Sequence, residues 1–212
     1  MREKISEILL KINAFAVSTK EPFKFASGIL SPIYLDCRRI ISFPKERKII
    51  IDFAVDIAKN DIGLENIDVI AGGETAGIPF ASWLADRLDM PMIYVRRKAK
   101  DYGKQRQTEG VLKPGQRVLL FEDVISTGGS KLDFFKGVRN DQGVMEHCLV
   151  IYEYGYKDAR STLEEQGIKL HSMSDLELIL GIGRKIGYFR DEDIQEVKEW
   201  FKAPDRWGEK FK

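Results

Sequence analysis

Residues 118–130 read Val-Leu-Leu-Phe-Glu-Asp-Val-Ile-Ser-Thr-Gly-Gly-Ser, and this stretch decides the fold. Four consecutive apolar residues between polar ones are typical of a strand buried on both faces, as in a parallel sheet covered by helices. The acids Glu122 and Asp123 then lie at the carboxyl end of that strand, the edge at which open α/β sheets bind ligands. Small residues follow, so backbone N–H groups at the start of the next helix can surround a phosphate. The stretch therefore predicts a phosphorylated-sugar site whose carboxylates face sugar hydroxyls or Mg²⁺.

The composition of the chain predicts one globular core and a small-molecule partner. The 212 residues are 43% hydrophobic, and 34 Lys and Arg nearly balance 33 Asp and Glu. A chain of this length can bury one sizeable core. The net charge of +1 gives no global reason to expect a nucleic acid or a membrane as partner, so any electropositive site must be local.

The cysteines and histidines predict a cytoplasmic protein without a metal site of its own. Cys37 and Cys148 are the only cysteines and form no C-x-x-C motif, which favours reduced core thiols. With His147 and His171 as the only histidines, a zinc site is not expected. The first residues lead into an amphipathic pattern, and no run of about 18 apolar residues occurs, so neither a signal peptide nor a membrane span is predicted.

Alternating helical and strand patterns predict a parallel, doubly wound sheet. Apolar spacing predicts helices over 2–13, from Pro44 to about 57, over 77–88, from Ser130 and over 158–166. A last helix is predicted to be capped by Asp191 and to carry Ile194, Val197 and Phe201. Strands are predicted at 67–71, 91–96, 118–121, 148–152 and 168–171. Residues 14–41 are expected to be mostly extended and 97–110 to form a polar loop.

Two further glycine-rich stretches have different interpretations. Residues 72–77, Gly-Gly-Glu-Thr-Ala-Gly, lie between a predicted strand and a predicted helix, an arrangement that binds anions through main-chain N–H groups or simply relieves strain in the turn. Residues 181–187, Gly-Ile-Gly-Arg-Lys-Ile-Gly, are one residue too long for G-x-G-x-x-G and are predicted to form a surface turn. The G-x-x-x-x-G-K-[ST] pattern is missing, which excludes a P-loop nucleotide site.

A local concentration of positive charge lies between positions 96 and 106. It holds six basic residues and one acid, Asp101. This segment could be a solvated loop or a nucleic-acid patch. Against the nucleic-acid patch, Tyr102 is the only aromatic residue among these basic residues, and the overall charge is close to neutral. A cationic lid that hinges at Gly103 and closes on a diphosphate explains the charge and the polarity together.

These stretches resemble known phosphoribosyltransferases. Residues 118–130 resemble the phosphoribosyl-diphosphate (PRPP) signature of the type I phosphoribosyltransferases. Three others resemble the orotate phosphoribosyltransferase family: Phe25–Arg38 is similar to its amino-terminal hood segment, Arg96–Gly103 with Glu109-Gly110 to its mobile loop, and Gly72–Gly77 to its pyrophosphate loop. The resemblance covers most of residues 15–135.

The resemblance implies an α/β fold of the type I phosphoribosyltransferase kind, with a central, mainly parallel sheet flanked by helices and a small N-terminal hood. We expect one domain over 1–212, made of an N-terminal helix and hood at 1–43, a PRPP-binding core at 44–175 and a C-terminal helical extension at 176–212.

The resemblance also implies roles for individual residues. The catalytic residues would be Lys100, Glu122 and Asp123, with the two acids on the ribose 2′ and 3′ hydroxyls. Mg²⁺ would be held mainly by PRPP, with no protein metal site. Orotate would contact Phe25, Ser27, Gly28 and Ser126. The PRPP-binding residues would be Gly72, Gly73, Arg96, Arg97, Lys100, Tyr102, Glu122, Asp123, Val124, Ile125, Ser126, Thr127, Gly128, Gly129 and Ser130.

The chain departs from the family pattern in the mobile loop and at positions that affect the base. Tyr102 stands where relatives commonly have histidine, and Ala26 where many have lysine. Glu153-Tyr154 stands where many relatives carry an Asp-Arg pair whose arginine binds the base carboxylate. Arg160 and Lys157, in the following turn, are the nearby cations that could take its place.

The function implied by the resemblance is transfer of a phosphoribosyl group from PRPP to orotate by a Mg²⁺-dependent homodimer, a step of pyrimidine synthesis. A purine-type phosphoribosyltransferase would share the sugar site but not the 25–38 segment. A PRPP-sensing regulator would need a nucleic-acid surface, and the sequence shows neither a helix-turn-helix pattern nor a basic face.

Overall fold

The chain divides into two compact units. The structure, a computed structural model, describes residues 1–25, 28–98, 106–126 and 129–211. One unit comprises 44–175, and the other comprises 1–43 together with 176–212. Within the described ranges, none of the helices has the length and hydropathy needed to cross a membrane.

The elements alternate in the predicted manner. The helices are α1 Arg2–Lys11, α2 Pro44–Asp56, α3 Gly77–Leu88, α4 Gly129–Asn140, α5 Lys157–Glu165, α6 Leu176–Lys185, α7 Asp191–Lys202 and α8 Pro204–Gly208. The strands are β1 Phe15–Val17, β2 Phe23–Lys24, β3 Leu30–Ser31, β4 Ile33–Leu35, β5 Val69–Gly73, β6 Met92–Val95, β7 Thr108–Glu109, β8 Arg117–Ile125, β9 Val144–Glu153 and β10 Lys169–Asp175.

The unit of residues 44–175 is built on a six-stranded sheet in the order β10-β9-β8-β5-β6-β7. All neighbouring strands are parallel except β6 and β7. The predicted mainly parallel α/β sheet is therefore confirmed. Strand β6 lies on one side of β5, and β8, which comes later in the chain, lies on its other side. The direction in which strands are added to the sheet therefore reverses between β5 and β8. A crevice at the carboxyl ends of two such strands is the usual ligand site of this architecture.

Strand β8 is the centre of the core. Residues 118–121 are at most 3% exposed, which confirms burial on both faces. The strand runs four residues beyond the predicted end, because β9 continues to pair with it at Glu122, Val124 and Ile125. At its amino end, Arg117 donates from its backbone N–H (2.8 Å) and its guanidinium (2.9 and 2.7 Å) to Asp68, which joins β8 to the residue before β5.

The other unit brings the two ends of the chain together. Strands β1 and β4, and β2 and β3, form two small antiparallel pairs. Trp200 of α7 is 1% exposed, and its Nε1 donates a hydrogen bond to the Leu30 carbonyl of β3 (2.9 Å). Its ring also meets Phe25 edge-on, with centroids 6.4 Å apart. The C-terminal helices thus support the β2–β3 hairpin.

Two predictions for the C-terminal segment are wrong. Residues 181–187 do not form a surface turn, because α6 continues through Lys185 and buries Gly183 against Phe189, where a Cβ would collide with the ring. Helix α7 begins at Asp191 rather than after it, so Asp191 is not its cap. The helix carries Ile194, Val197 and Phe201 as predicted, and it buries Trp200 together with Ile194 and Val197. Trp200 lies three residues after Val197 and has the larger ring to bury.

The only two histidines of the chain should make the stability of the fold sensitive to acid. His147 Nδ1 and His171 Nε2, on β9 and β10, lie 3.1 Å apart, so one ring must donate and the other accept. Burial, with a smaller effect of the neighbouring His147, lowers the pKa of His171 from 6.5 to about 4. The folded state thus binds fewer protons than the unfolded state between these values. The contribution of His171 to the free energy of unfolding should be fully present above pH 6.5. The free energy of unfolding should fall by at most roughly 3 kcal/mol as the pH drops to about 4.

The measurement is chemical denaturation of the wild type and a His171→Gln variant across this pH range. Glutamine keeps a donor and an acceptor but does not titrate. We expect the variant to lose a smaller part of its stability on acidification. Identical pH dependence of the two proteins would show that His171 does not contribute.

Candidate active site

The carboxyl ends of β5 and β8 are neighbours at the switch point, where a sheet of this kind usually binds its ligand. Strand β5 ends at Gly73 and leads through residues 74–76 into α3, while β8 carries Glu122 and Asp123 near its end and leads into α4. Both connections run from a buried strand to a helix amino terminus. Backbone N–H groups in such turns are available to anions, so the crevice has two candidate phosphate cradles.

Glu122 points into the protein. It is 3% exposed, and its Oε2 accepts from Nζ of Lys131, which is 7% exposed and belongs to the first turn of α4. Burial raises the pKa of Glu122, and the Lys131 charge opposes that increase. The other oxygen, Oε1, has no hydrogen bond of good geometry with any residue that the structure describes.

Two glycines provide the space for this carboxylate, and a third allows a close backbone contact. A Cβ at Gly73 or at Gly77 would collide with the Glu122 side chain, and at Gly77 it would also come within 2.7 Å of the Phe121 carbonyl. A Cβ at Gly72 would lie 2.8 Å from the backbone of residues 77 and 78. The glycines of the 72–77 stretch are therefore required by packing, whatever their backbone N–H groups bind.

Asp123 points the other way, as alternation along an extended strand requires. Its side chain is partly exposed, and Oδ1 accepts the N–H of Val124 (2.8 Å). Of the two acids, Asp123 is the more exposed.

Both ends of the basic loop are tied to the same unit. The Arg97 N–H donates to Glu74 Oε2 (3.1 Å), which links the loop to the turn after β5. Gln107 Nε2 donates to the carbonyls of Arg96 (3.0 Å), Arg97 (3.3 Å) and Asp133 (3.4 Å). The return strand β7 is fixed as well, because Thr108 donates from N–H (3.0 Å) and Oγ1 (2.5 Å) to Asp141 of the turn after α4.

Comparisons with known proteins show to which family the chain belongs. The model of the phosphoribosyl transferase domain family matches residues 39–153. An orotate phosphoribosyltransferase of Sinorhizobium fredii is 39% identical over 211 residues, which are 99% of this chain and 91% of that protein. One of Dinoroseobacter shibae is 43% identical over 206 residues, with 97% and 91% covered. The chain belongs to the orotate phosphoribosyltransferase family.

The fold agrees with two solved structures. The crystal structure of orotate phosphoribosyltransferase from Aeropyrum pernix superposes with a TM-score of 0.74 at 28% identity, covering 88% of this chain and 99% of that one. The Leishmania donovani UMP synthase gives a TM-score of 0.80 at 24% identity and covers 93% of this chain and 41% of that one. The type I phosphoribosyltransferase fold and the family resemblance are thereby confirmed.

The other PRPP residues expected from the family fall in different settings. Ser126 is exposed at the end of β8, and Val124 is partly exposed. Ile125 is 1% exposed in the core, so its backbone alone can face the crevice. Arg96 holds its guanidinium 3.8 Å from Glu109. Gly129 and Ser130 open α4, whereas Lys100, Tyr102, Thr127 and Gly128 lie outside the described residues.

The orotate residues expected from the family belong to the other unit, except Ser126. Phe25 and Gly28 lie between β2 and β3, where Gly28 N–H donates to the Phe25 carbonyl (2.8 Å) and Phe25 N–H to the Ile29 carbonyl (2.9 Å). Gly28 has φ +88°, a conformation that favours glycine. Ser27 lies outside the described residues.

The position of the family's Asp-Arg pair is occupied by a different arrangement. Arg160 donates from Nε (3.0 Å) and Nη2 (2.6 Å) to the two oxygens of Glu153, at the end of β9. A guanidinium is thus held at this edge, supplied from α5 instead of the strand end. The Tyr154 ring lies against Tyr156, with centroids 6.1 Å apart.

Proposed function

We propose that the chain transfers the 5-phosphoribosyl group from PRPP to orotate, giving orotidine 5′-phosphate and pyrophosphate, in pyrimidine synthesis. The observation that carries the proposal is the switch point between β5 and β8. There β8 carries the partly exposed Asp123 near its end and leads into α4, and the neighbouring β5 ends in a glycine turn that leads into α3. The relatives named orotate phosphoribosyltransferase, which match nearly the whole chain, support orotate as the acceptor.

The reaction breaks the bond between ribose C1 and the diphosphate, so positive charge develops on the sugar and negative charge on the leaving group. Glu122 and Asp123 would hold the ribose hydroxyls, and N–H groups at the start of α4 would hold the 5′-phosphate. Arg96, Arg97 and Lys100 would neutralise the departing diphosphate. Losing one such donor typically costs about 2.7–4 kcal/mol in the barrier. No covalent nucleophile is needed.

A direct test combines the protein with PRPP, orotate and Mg²⁺ and follows the products by ³¹P NMR. We expect pyrophosphate and a new nucleotide monophosphate resonance to grow in equal amounts, and both to require orotate. Hydrolysis of PRPP at the same rate without orotate would contradict a transferase.

Magnesium would enter with the substrate. Among the described residues, no cluster of three or more His, Cys, Asp and Glu side chains could hold a metal ion, whereas Asp123 offers one carboxylate at the ligand edge. That donor set fits Mg²⁺, which prefers substrate phosphates, water and one or two carboxylates over a dedicated cage. When bound, Mg²⁺ supplies charge neutralisation for the diphosphate.

Chelation should therefore lower pyrophosphate release by at least about tenfold, and added Mg²⁺ should restore it. Elemental analysis of the purified protein should find less than one divalent ion per chain after dialysis. A tightly held, stoichiometric ion, or full activity in EDTA, would contradict substrate-borne Mg²⁺.

We also propose a homodimer in which the basic loop of one subunit closes on the site of the other. The family resemblance supports this, since a twofold interface creates two equivalent shared sites. An equal mixture of Lys100→Ala and Asp123→Asn subunits should then recover up to about a quarter of wild-type activity, because about half the dimers are hybrid with one intact site. Exchange of subunits without recovery would place Lys100 in its own subunit's site.

The reaction is proposed to occur in the cytoplasm. Cys37 and Cys148 are both buried and neither is in a disulfide, and burial raises the pKa of Cys148 to about 12. Buried thiols of this kind suit a reducing compartment.

Two other functions predict different results. A purine-type phosphoribosyltransferase would consume PRPP with adenine or hypoxanthine in place of orotate. A PRPP-sensing regulator would bind PRPP without turnover and would shift a nucleic acid in a salt-dependent manner at submicromolar protein concentration.

A further inference from the structure

The backbone of Arg96 and Arg97 is held by two residues that are distant in sequence or across the basic loop. The Arg96 N–H donates to the Gln107 carbonyl (2.9 Å), and the Arg96 carbonyl accepts from Gln107 Nε2 (3.0 Å). The Arg97 N–H donates to Glu74 Oε2 (3.1 Å), and the Arg97 carbonyl accepts from the same Nε2 (3.3 Å). All four backbone polar groups of the two arginines are therefore bonded to Gln107 or Glu74, although β6 ends before them at Val95.

The Gln107 side chain is itself fixed against α4. Its Nε2 also donates to the Asp133 carbonyl (3.4 Å), and Gly137 lies on the same face of the helix, four residues later. A Cβ at Gly137 would come within 2.9 Å of Gln107 Cβ and Cδ, so the side chain of Gln107 fills the space beside this glycine. The next residue, Thr108, is anchored to Asp141 just after the helix. Gln107 therefore joins the two ends of the basic loop to α4.

The side chains of the two arginines are nevertheless accessible. Arg97 is exposed, and the Arg96 side chain is 34% exposed, with its guanidinium 3.8 Å from Glu109. The positive charges thus extend from a backbone whose position is fixed. Cations that are fixed before an anion arrives lose less freedom on binding and need less reorganisation during the reaction. Two such guanidinium groups suit a diphosphate, whose oxygens accept paired hydrogen bonds.

We propose that Gln107 and Glu74 are positioning residues that hold Arg96 and Arg97 for the diphosphate of PRPP. Gln107 acts through its amide donors, and Glu74 through a carboxylate oxygen on the Arg97 N–H. This gives a task to an acid that stands in the glycine turn after β5, where its charge would otherwise only repel a diphosphate. The inference rests on the proposed function, since it assigns roles toward the same substrate.

The first experiment compares Gln107→Glu with Gln166→Glu. Both changes replace an amide by a carboxylate of the same shape, and Gln107→Glu removes the donor that three carbonyls share. Gln166 is exposed, and its Oε1 accepts from Arg139, which a carboxylate also does. Gln107→Glu should lower both kcat/KM for PRPP and the affinity for inorganic pyrophosphate with Mg²⁺ by at least about tenfold, with KM for orotate within about twofold of wild type. Gln166→Glu should match the wild type.

The second variant, Gly137→Ala, displaces Gln107 without changing its chemistry. The same losses in kcat/KM and in pyrophosphate affinity are expected. Alanine is the better helix former, so the melting temperature should stay within about 3 °C of wild type. Gly181→Ala, where a Cβ would meet nothing within 4 Å, is the control and should keep wild-type kinetics. If Gln107→Glu does not fold, Gly137→Ala decides the role of Gln107.

The role of Glu74 is tested against a direct contact with the Mg²⁺ of the substrate. Glu74→Gln keeps an oxygen for the Arg97 N–H but loses the charge, whereas Glu74→Ala loses both. For a positioning residue, Glu74→Gln should keep kcat/KM, pyrophosphate affinity and the Mg²⁺ concentration for half-maximal activity within about threefold, and Glu74→Ala should lose at least about tenfold in the first two. Equal losses in both variants would overturn the positioning role.

The proposal also fails if Gln107→Glu or Gly137→Ala binds pyrophosphate as tightly as wild type, even when the melting temperature falls, because the residues would then only stabilise the fold. A wild type that does not bind pyrophosphate would overturn it as well. Failure of the proposed function is a separate outcome, since pyrophosphate binding reports the positioning of the arginines even if wild type has no activity with orotate.

Discussion

Asp123→Asn should lower kcat/KM for PRPP by roughly 10²- to 10³-fold while the melting temperature stays within about 2 °C of wild type. The amide is isosteric and keeps an oxygen to accept the Val124 N–H, so the end of β8 should retain its shape. What is lost is the negative charge at the ligand edge. Hydrogen bonds from neutral hydroxyls to a charged group contribute about 1.5–3 kcal/mol each, and a ribose offers two hydroxyls.

The matched control is Asp133→Asn, the same chemical change on an exposed residue of α4. Its backbone carbonyl accepts from Gln107, but that bond does not depend on the side chain. The control should keep wild-type kinetics. If Asp123→Asn retains wild-type kcat/KM, or if both variants lose activity equally, the assignment of the ribose contact to Asp123 is wrong.

Gly77→Ala should destabilise the fold by about 1–3 kcal/mol or more and abolish most activity. The new methyl group would overlap the Glu122 carboxylate and come within 2.7 Å of the Phe121 carbonyl, and a backbone atom cannot rotate away. Either α3 moves or the Glu122–Lys131 pair breaks. Both outcomes disturb the turn after β5.

The control for this change is Gly181→Ala in α6, where a Cβ would meet nothing within 4 Å. Alanine is the better helix former by roughly 0.8–1 kcal/mol, so this variant should be as stable as wild type or more stable. Denaturant unfolding of both variants measures the contrast. A Gly77→Ala protein as stable as Gly181→Ala would show that the carboxylate does not occupy the space beside Gly77.

The parts of the molecule that follow from local pattern could be predicted from the sequence. The apolar run at 118–121 and the strand-helix alternation around it predict a parallel sheet, and the acids after the run predict the ligand edge. The alternation of side chains along a strand also predicts that Glu122 and Asp123 point to opposite faces of the sheet.

The parts that depend on contacts between residues distant in sequence could not be predicted from it. Nothing local marks Lys131 as the partner of Glu122, nor Asp141 as the anchor of Thr108, 33 positions away. Likewise, the support of the hairpin by Trp200 joins residues 170 positions apart. Such pairings are set by how the elements pack, and a single sequence does not record them.

The central claim is transfer of a phosphoribosyl group to orotate. The most direct measurement is pyrophosphate release from PRPP and Mg²⁺ with orotate, uracil, hypoxanthine or adenine as the only base. We predict release with orotate at a kcat/KM at least about a hundredfold above that with any other base. Preferential release with hypoxanthine or adenine, or PRPP binding without release with any of the four, would contradict the account.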